Sequence, residues 1–448
     1  MTHAPHKFTS GPLARQMLVF SVPLILSNLL QTLFNLSDVA VVGRFAGAAA
    51  LGSVGSTTHL VYLFTSFLIG LGSGVNVLTA RFYGADDHDA LRQTVHTALL
   101  VCLLAGFVIL ALGESFSRPM LALLGTKPDL TDGASLYLRI YFLGMPAMAL
   151  YNFGSAVFSA VGDTKRPLAY LTISGVLNVA LNLFFVIVCR MDVAGVALAS
   201  VLSENLSAVL ILIALFRCRQ EYGLVFREIR LRGNRARAIL GLGLPAGFQN
   251  AIFSIANLFI QGGVNTFDSV VVEGNAAAAN GDLIIFNVMS AFYVACSSFI
   301  SQNFGAGKRD RIRKSYLIGM GYSLASAVVL GGLLLLMGRP FLSLFTTEPA
   351  VVEAGLGRMT IMIYSYWISA FMDCSSAASR GLGKSLIPVI VTILGSCVFR
   401  VVWVYTVFAY IGTFESLYLV YAFSWAITSV AQVWYFVRCY KKLTARMG

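Results

Sequence analysis

A chain of 448 residues with 57% hydrophobic and 12% charged side chains, and a mean hydropathy of +0.78, lies outside the range of soluble domains. A net charge of +12 would fit nucleic-acid binding, but 24 of the 32 Lys and Arg fall in segments assigned to the inner face, 7 in outer ones, and Arg400 within a span. That distribution is the positive-inside bias of a membrane protein, so nucleic acid is not an expected partner.

Roughly 20 apolar residues cross a bilayer core as a helix. Twelve such stretches are predicted, near 15–42, 51–80, 92–113, 134–161, 167–189, 193–216, 239–267, 276–302, 314–337, 351–378, 386–408 and 414–437. The fold class is therefore all-α and polytopic, with no room for a separate soluble domain. The first sixteen residues lack the apolar core and cleavage site of a signal peptide, so the first span is expected to be retained.

The first span is unusual in carrying Asn28, Gln31, Asn35 and Asp38 within an apolar run. Gln31, Asn35 and Asp38 are spaced i, i+4, i+7 and share one helix face. Asp38 lies roughly 34 Å beyond Arg15 along a helix, in the outer half of the span. A carboxylate near the bilayer centre costs about 2.5–3.5 kcal/mol, so it is expected to face protein or water. Burial disfavours its charged form and makes it a candidate proton carrier. The competing reading is a polar packing cluster in which Asp38 is hydrogen-bonded and inert.

Further along, Gly70 and Gly74 form a GxxxG, the usual mark of close helix packing. Span five places Asn178 and Asn182 on one face, Ser200 opens span six, and Glu204 follows one turn later. The run "RCRQEYGLVFREIRLRGNRAR" (217–237) holds seven arginines and reads as an inner-face linker lying along anionic headgroups. Span seven carries Asn250, Asn257 and Gln261, span ten Asp373, and span eleven Arg400. Arg400 is the only clearly intramembrane base by this reading, expected to bond carbonyls or an acid of its own lobe.

"SRPMLALLGTKPDL" (117–130) matches "GRPFLSLFTTEPAV" (338–351) at an offset of 221, with six of twelve positions identical across 118–129. The offset also pairs Gly162 with Gly383 and Pro167 with Pro388; near the start it becomes 222, pairing Pro23 with Pro245 and Asn28 with Asn250. This is a duplicated six-helix unit. Two lobes are expected, at 1–220 and 221–448, with the basic linker at about 217–238. Because six is even, their pseudo-twofold axis should run along the membrane normal, around a central cavity. Both termini are then cytoplasmic. Pro23 and Pro245 each remove a backbone hydrogen bond and can kink spans one and seven.

"FSVPLILSNLLQTLFNLSDVAVVGRFAGAAALGSVG", "LIGLGSGVNVLTARFYGA", "AVGDTKRP", "GVLNVALNLFFV", "GVALAS" and "SQNFGAGKRDRIRK" together resemble the multidrug and toxic compound extrusion (MATE) family of secondary transporters. The resemblance spans nearly the whole chain. It implies a bacterial plasma-membrane antiporter that exports amphipathic, cationic compounds in exchange for protons, with sodium the alternative coupling ion. It also implies an N-lobe cation site built from a first-helix Asp with Asn, Asp and Thr. This chain has Asp38 and Asn178, but Asn182 for the second acid and Ser200 for Thr, with Glu204 able either to restore the missing charge or to pair with a nearby polar group. For Asn178 and Asn182 the alternative is interhelical hydrogen bonding. Some members carry a C-lobe acid eight residues after the proline of span seven; Phe253 stands there, which argues against a C-lobe cation site.

Gln31, Phe34, Asn35, Tyr62, Met145, Tyr151, Asn250, Phe253, Asn257, Met289, Tyr293, Tyr366 and Trp367 are candidates for the substrate surface, as is Met372. Flat aromatic faces and flexible Met suit varied organic cations, although each of these side chains also serves as ordinary packing or lipid contact. No enzyme is expected: "GLGKS" (381–385) has Ala378 where a phosphate loop needs Gly, and HExxH and GxSxG are missing. The cysteines form no CxxC pair, so neither a metal nor a disulfide framework is expected, and no cofactor beyond the coupling ion. The partners expected are small-molecule substrates and membrane lipid, with the protein a monomer. The rival readings are a lipid-linked oligosaccharide flippase of the same superfamily, and a channel or receptor.

Overall fold

The computed structural model describes residues 7–445 and, among them, contains helices and no strand. The chain ends, which the charge pattern assigns to the cytoplasm, lie outside the described residues. The helices are α1 (Leu13–Val41), α2 (Ala48–Gly84), α3 (His88–Leu123), α4 (Pro128–Phe142), α5 (Met145–Ala160), α6 (Lys165–Leu183), α7 (Asp192–Phe216), α8 (Gly233–Val264) and α9 (Ser269–Gly305). They continue as α10 (Arg309–Leu336), the short α11 (Gly338–Leu342), α12 (Pro349–Gly381), α13 (Leu386–Thr392), α14 (Phe399–Trp403), α15 (Ala409–Ile411) and α16 (Phe414–Thr444).

Each of the twelve predicted spans has a helical counterpart; the fourth and eleventh are not plain rods, and the first and fifth run on into π-helical turns, Val42–Ala46 and Phe184–Val188. The fourth is broken: α4 and α5 bend by 47° at Leu143–Gly144, just before Pro146, whose missing N–H and clash with the preceding residue favour a break. The eleventh runs from α13 to α15 through two π-helical turns, Ile393–Val398 and Val404–Phe408. The tenth, α12, fails the length-and-hydropathy test for a span that ten single helices pass among the described residues, although its 33 residues are long enough. The prolines of α1 and α8 lie inside continuous helices, so neither ends its span.

The chain packs into two compact units that cut across the repeat boundary at 220/221. One holds Leu26–Asn250 with Lys7; the other holds Phe8–Ile25 with the described chain from Ala251 onward. The start of α1 thus belongs with the second half of the sequence. Phe8 stacks on Phe299 at 3.7 Å, its N–H donates to Gln302 Oε1 at 2.9 Å, and Arg311 donates to the carbonyls of Phe8, Ser10 and Gly11. Conversely, the start of α8 packs on α2. A Cβ on Gly70 would collide with the Gly247 backbone, and one on Gly74 would sit 2.7 Å from both Gly243 N and Ile239 O. The GxxxG of α2 is therefore a backbone-to-backbone contact, as its spacing predicts.

The first unit's core runs through Leu71, Val75, Leu91, Phe142, Phe153, Phe158 and Ile211; the second's through Ile285, Ile300, Met359, Cys374, Leu417 and Tyr418. Gly162 and Gly383, paired by the repeat, have φ of +95° and +80°. Only glycine adopts that conformation without strain, which accounts for its presence at both places.

Candidate functional site

In the first unit, α1, α6 and α7 bring four of the predicted cation-coupling side chains together. Asn182 Nδ2 donates to Asp38 Oδ1 at 2.5 Å, and Ser200 Oγ donates to Asp38 Oδ2 at 3.3 Å. The same Asn182 Nδ2 reaches Asn178 Oδ1 at 3.2 Å, and Asn178 Nδ2 reaches Ser200 Oγ at 3.5 Å, closing the ring. Asn178, Asn182 and Ser200 are 7%, 0% and 8% exposed, while Asp38 is half-buried. Their helix spacing explains the convergence: i, i+4 puts both amides on one face of α6, opposite the polar face of α1. One acceptor is left over. Asn182 Oδ1 is buried without a hydrogen-bond partner.

Glu204, one turn along α7 from Ser200, is not part of the hydrogen-bonded ring, although it lies within electrostatic reach of Asp38. Tyr137 and Tyr141 of α4, stacked at 5.8 Å, are also within electrostatic reach of Asp38. Sequence reasoning missed both; their i, i+4 spacing in "LYLRIYF" was the available signal. Asp38 is thus one carboxylate held by neutral donors, flanked by a second acid and two phenols.

The substrate candidates divide. Gln31, Asn35, Tyr62 and Trp367 are exposed, and Phe34 is half-buried, its ring filling the space above Gly175 that a Cβ would need. Tyr151 donates to Pro167 O at 3.0 Å, and Asn250 Nδ2 to Ser66 O at 3.4 Å. Met145, Met289 and Met372 are 0–2% exposed and present no surface to a ligand; here they are core packing. Tyr293 and Tyr366 are likewise sunk in the second unit's core, Tyr366 with its ring 5.4 Å from Trp425.

Phe253 and Asn257 instead meet Arg400. Its guanidinium lies 4.4 Å from the Tyr421 ring, 5.4 Å from Phe253 and 5.8 Å from Trp425. Nη1 donates to Asn257 Oδ1 at 3.2 Å and Nε to Ser424 Oγ at 3.3 Å, while Nη2 is buried without a partner. The partner is thus a side-chain carbonyl of its own unit, Asn257 Oδ1, together with a hydroxyl and three rings, and no acid; Asp373 is within electrostatic reach only. Nor is Arg400 alone as a base inside a span. Arg358 of α12, 7% exposed at its side chain, pairs with Asp282 of α9 at 2.5 Å, its guanidinium 5.5 Å from the Tyr418 ring. Nothing near Arg358 in the sequence points to this partner, which lies 76 residues away.

The duplicated units of long apolar helices, with a half-buried carboxylate in the first span, define a multi-pass membrane protein. The family model for MatE matches residues 23–184 and again 245–406, two copies 222 residues apart, so the chain belongs to the MATE family. It is similar to the probable multidrug resistance protein YoeA of Bacillus subtilis, with 30% identity over 85% of this chain and 83% of that one. It is also similar to an FAD transporter of Shewanella oneidensis, at 26% identity over 78% of each. Its fold matches that of a MOP superfamily transporter from Pyrococcus furiosus with a TM-score of 0.91, at 20% identity and 99% coverage of both chains.

Proposed function

We propose that the protein is a multidrug efflux antiporter that exports amphipathic cations in exchange for protons, by alternating access, with the basic linker and both termini in the cytoplasm. The observation that carries the coupling ion is the composition of the ring: one carboxylate, Asp38, bonded only by neutral groups. A bare sodium ion needs several oxygens and gains from fixed negative charge, whereas a proton needs only the carboxylate. Both protonation states can be satisfied. Asn182 Nδ2 serves the charged form, and a half-turn of its amide offers the unpartnered Oδ1 to the O–H of the neutral form.

Asp38→Asn tests this reading. Asn copies the shape of the neutral acid, so the variant should fold and bind drug in detergent while gradient-driven efflux from proteoliposomes disappears. Efflux at the wild-type rate would assign Asp38 to packing.

One relative is an FAD transporter, so FAD is the natural counter-probe. Competition between a cationic dye and FAD for the purified protein tests the reading: displacement by other cations and not by FAD is expected.

A further inference from the structure

The connection between α7 and α8 is tied down along its length. Tyr222 and Leu224 are each 3% exposed and sunk into the first unit's core, and Leu224 N–H donates to Leu215 O at 3.0 Å. Two buried polar side chains of α3 grip the backbone beyond. His96 Nδ1 lies 2.7 Å from Arg92 O and Nε2 lies 2.9 Å from Val225 N. A carbonyl only accepts and a backbone N–H only donates, so the imidazole is neutral with its proton on Nδ1. Next to it, Thr97 Oγ1 donates to Arg230 O at 3.2 Å and accepts from Arg232 N–H at 3.4 Å.

This anchoring sorts the charges. The two acids of the segment are paired with α3 at the surface, Glu221 opposite His88 at 3.4 Å and Glu228 opposite Arg92 at 3.3 Å. Arg217, Arg219, Arg227, Arg230, Arg232 and Arg237 are exposed, and none has an ion-pair partner among the described residues. Among them stand two apolar side chains, Phe226 at 77% exposure and Leu231 at 55%. The Phe226 ring stacks at 4.6 Å on Phe216, the last residue of the membrane helix α7, and so sits where that helix leaves the bilayer. A loop meeting only water gains nothing from an exposed phenylalanine. At the boundary between headgroups and acyl chains, the ring is buried and the guanidinium groups reach phosphate.

We propose that residues 217–237 form a preassembled docking strap for anionic phospholipid of the adjoining leaflet, with Phe226 seated at the headgroup–acyl boundary and the outward arginines on headgroup phosphates. Each arginine near a charged membrane surface is worth about a fivefold preference, the equivalent of ~1 kcal/mol. The full-length protein carrying photoreactive benzoylphenylalanine in place of Phe226, in nanodiscs of equal phosphatidylcholine and phosphatidylglycerol, tests the assignment by mass spectrometry of the adducts. Lipid adducts are expected, with phosphatidylglycerol favoured about fivefold or more. The preference should fall in an Arg227→Gln/Arg230→Gln variant whose total lipid adduct is unchanged, the four remaining outward arginines retaining part of it. It should also fall for the parent protein in 1 M salt, where the Debye length shrinks to about 3 Å; this arm does not depend on the variant folding. Absence of lipid adducts, an equal lipid ratio at low salt, or an adduct to an acidic protein in place of lipid when cell membranes are irradiated would each overturn the proposal.

Discussion

Breaking the Asp282–Arg358 pair should be among the most damaging single changes in the second unit. The two side chains are 16% and 7% exposed, and Nη2 of Arg358 is 2.5 Å from Asp282 Oδ2. Nε and Nη1 have no hydrogen-bond partner, so Asp282 supplies the guanidinium's principal compensation, supplemented by the Tyr418 ring at 5.5 Å. Asp282→Asn keeps the shape and removes the charge. It leaves a buried cation, a loss of about 3–5 kcal/mol for pairs of this kind. At roughly 2–4 °C per kcal/mol for a unit of this size, the melting temperature in detergent should drop by about 6–20 °C. Replacing both partners, Asp282→Asn with Arg358→Met, removes the orphaned charge and should recover most of that loss, because a buried pair is often nearly neutral against an apolar substitute. Thermal unfolding of the two single variants and the double variant forms a double-mutant cycle. A single variant that melts with the parent protein, or a double variant as unstable as the sum of the singles, would refute the reasoning.

Two further changes probe the first unit. Gly74→Ala should lower the melting temperature by an amount equivalent to about 1–3 kcal/mol, since its methyl group would meet the Gly243 and Ile239 backbone of α8 at 2.7 Å; Gly55→Ala, in open space, is the matched control. His96→Ala should raise amide hydrogen exchange at Val225 and its neighbours by at least about tenfold, because the acceptor of the Val225 N–H disappears; unchanged exchange would mean the strap is held without it.

Much of the architecture was legible because membrane spans and duplications are written in local patterns. Apolar length marked the spans, and Gly162 and Gly383 recur because both backbones require positive φ. The convergence of Asp38, Asn178, Asn182 and Ser200 was visible from helical spacing together with family resemblance. What stayed hidden depends on partners far apart in sequence. The Arg358–Asp282 pair joins two helices 76 residues apart in sequence, and nothing near either residue announces the other. The assignment of Phe8–Ile25 to the second unit rests on Phe299, Gln302 and Arg311, nearly 300 residues away, which no local pattern reveals. Met145 and Met289 illustrate the converse limit: a methionine in a membrane helix has the same composition whether it packs a core or lines a cavity, and here both pack.

Transport into or out of proteoliposomes, with proton and sodium gradients imposed independently, tests the central claim most directly. The ring around Asp38 predicts that a proton gradient alone drives export of a cationic dye and that a sodium gradient at equal pH does not. Because Glu204 stands outside the hydrogen-bonded ring, Glu204→Gln should leave proton-driven transport largely intact. One proton exchanged for one monovalent cation moves no net charge, whereas each uncompensated charge would feel about 2.3 kcal/mol per 100 mV, so a membrane potential alone should add little. Robust sodium-driven export at equal pH, abolished by Glu204→Gln, would contradict the account and assign the coupling to a two-carboxylate site.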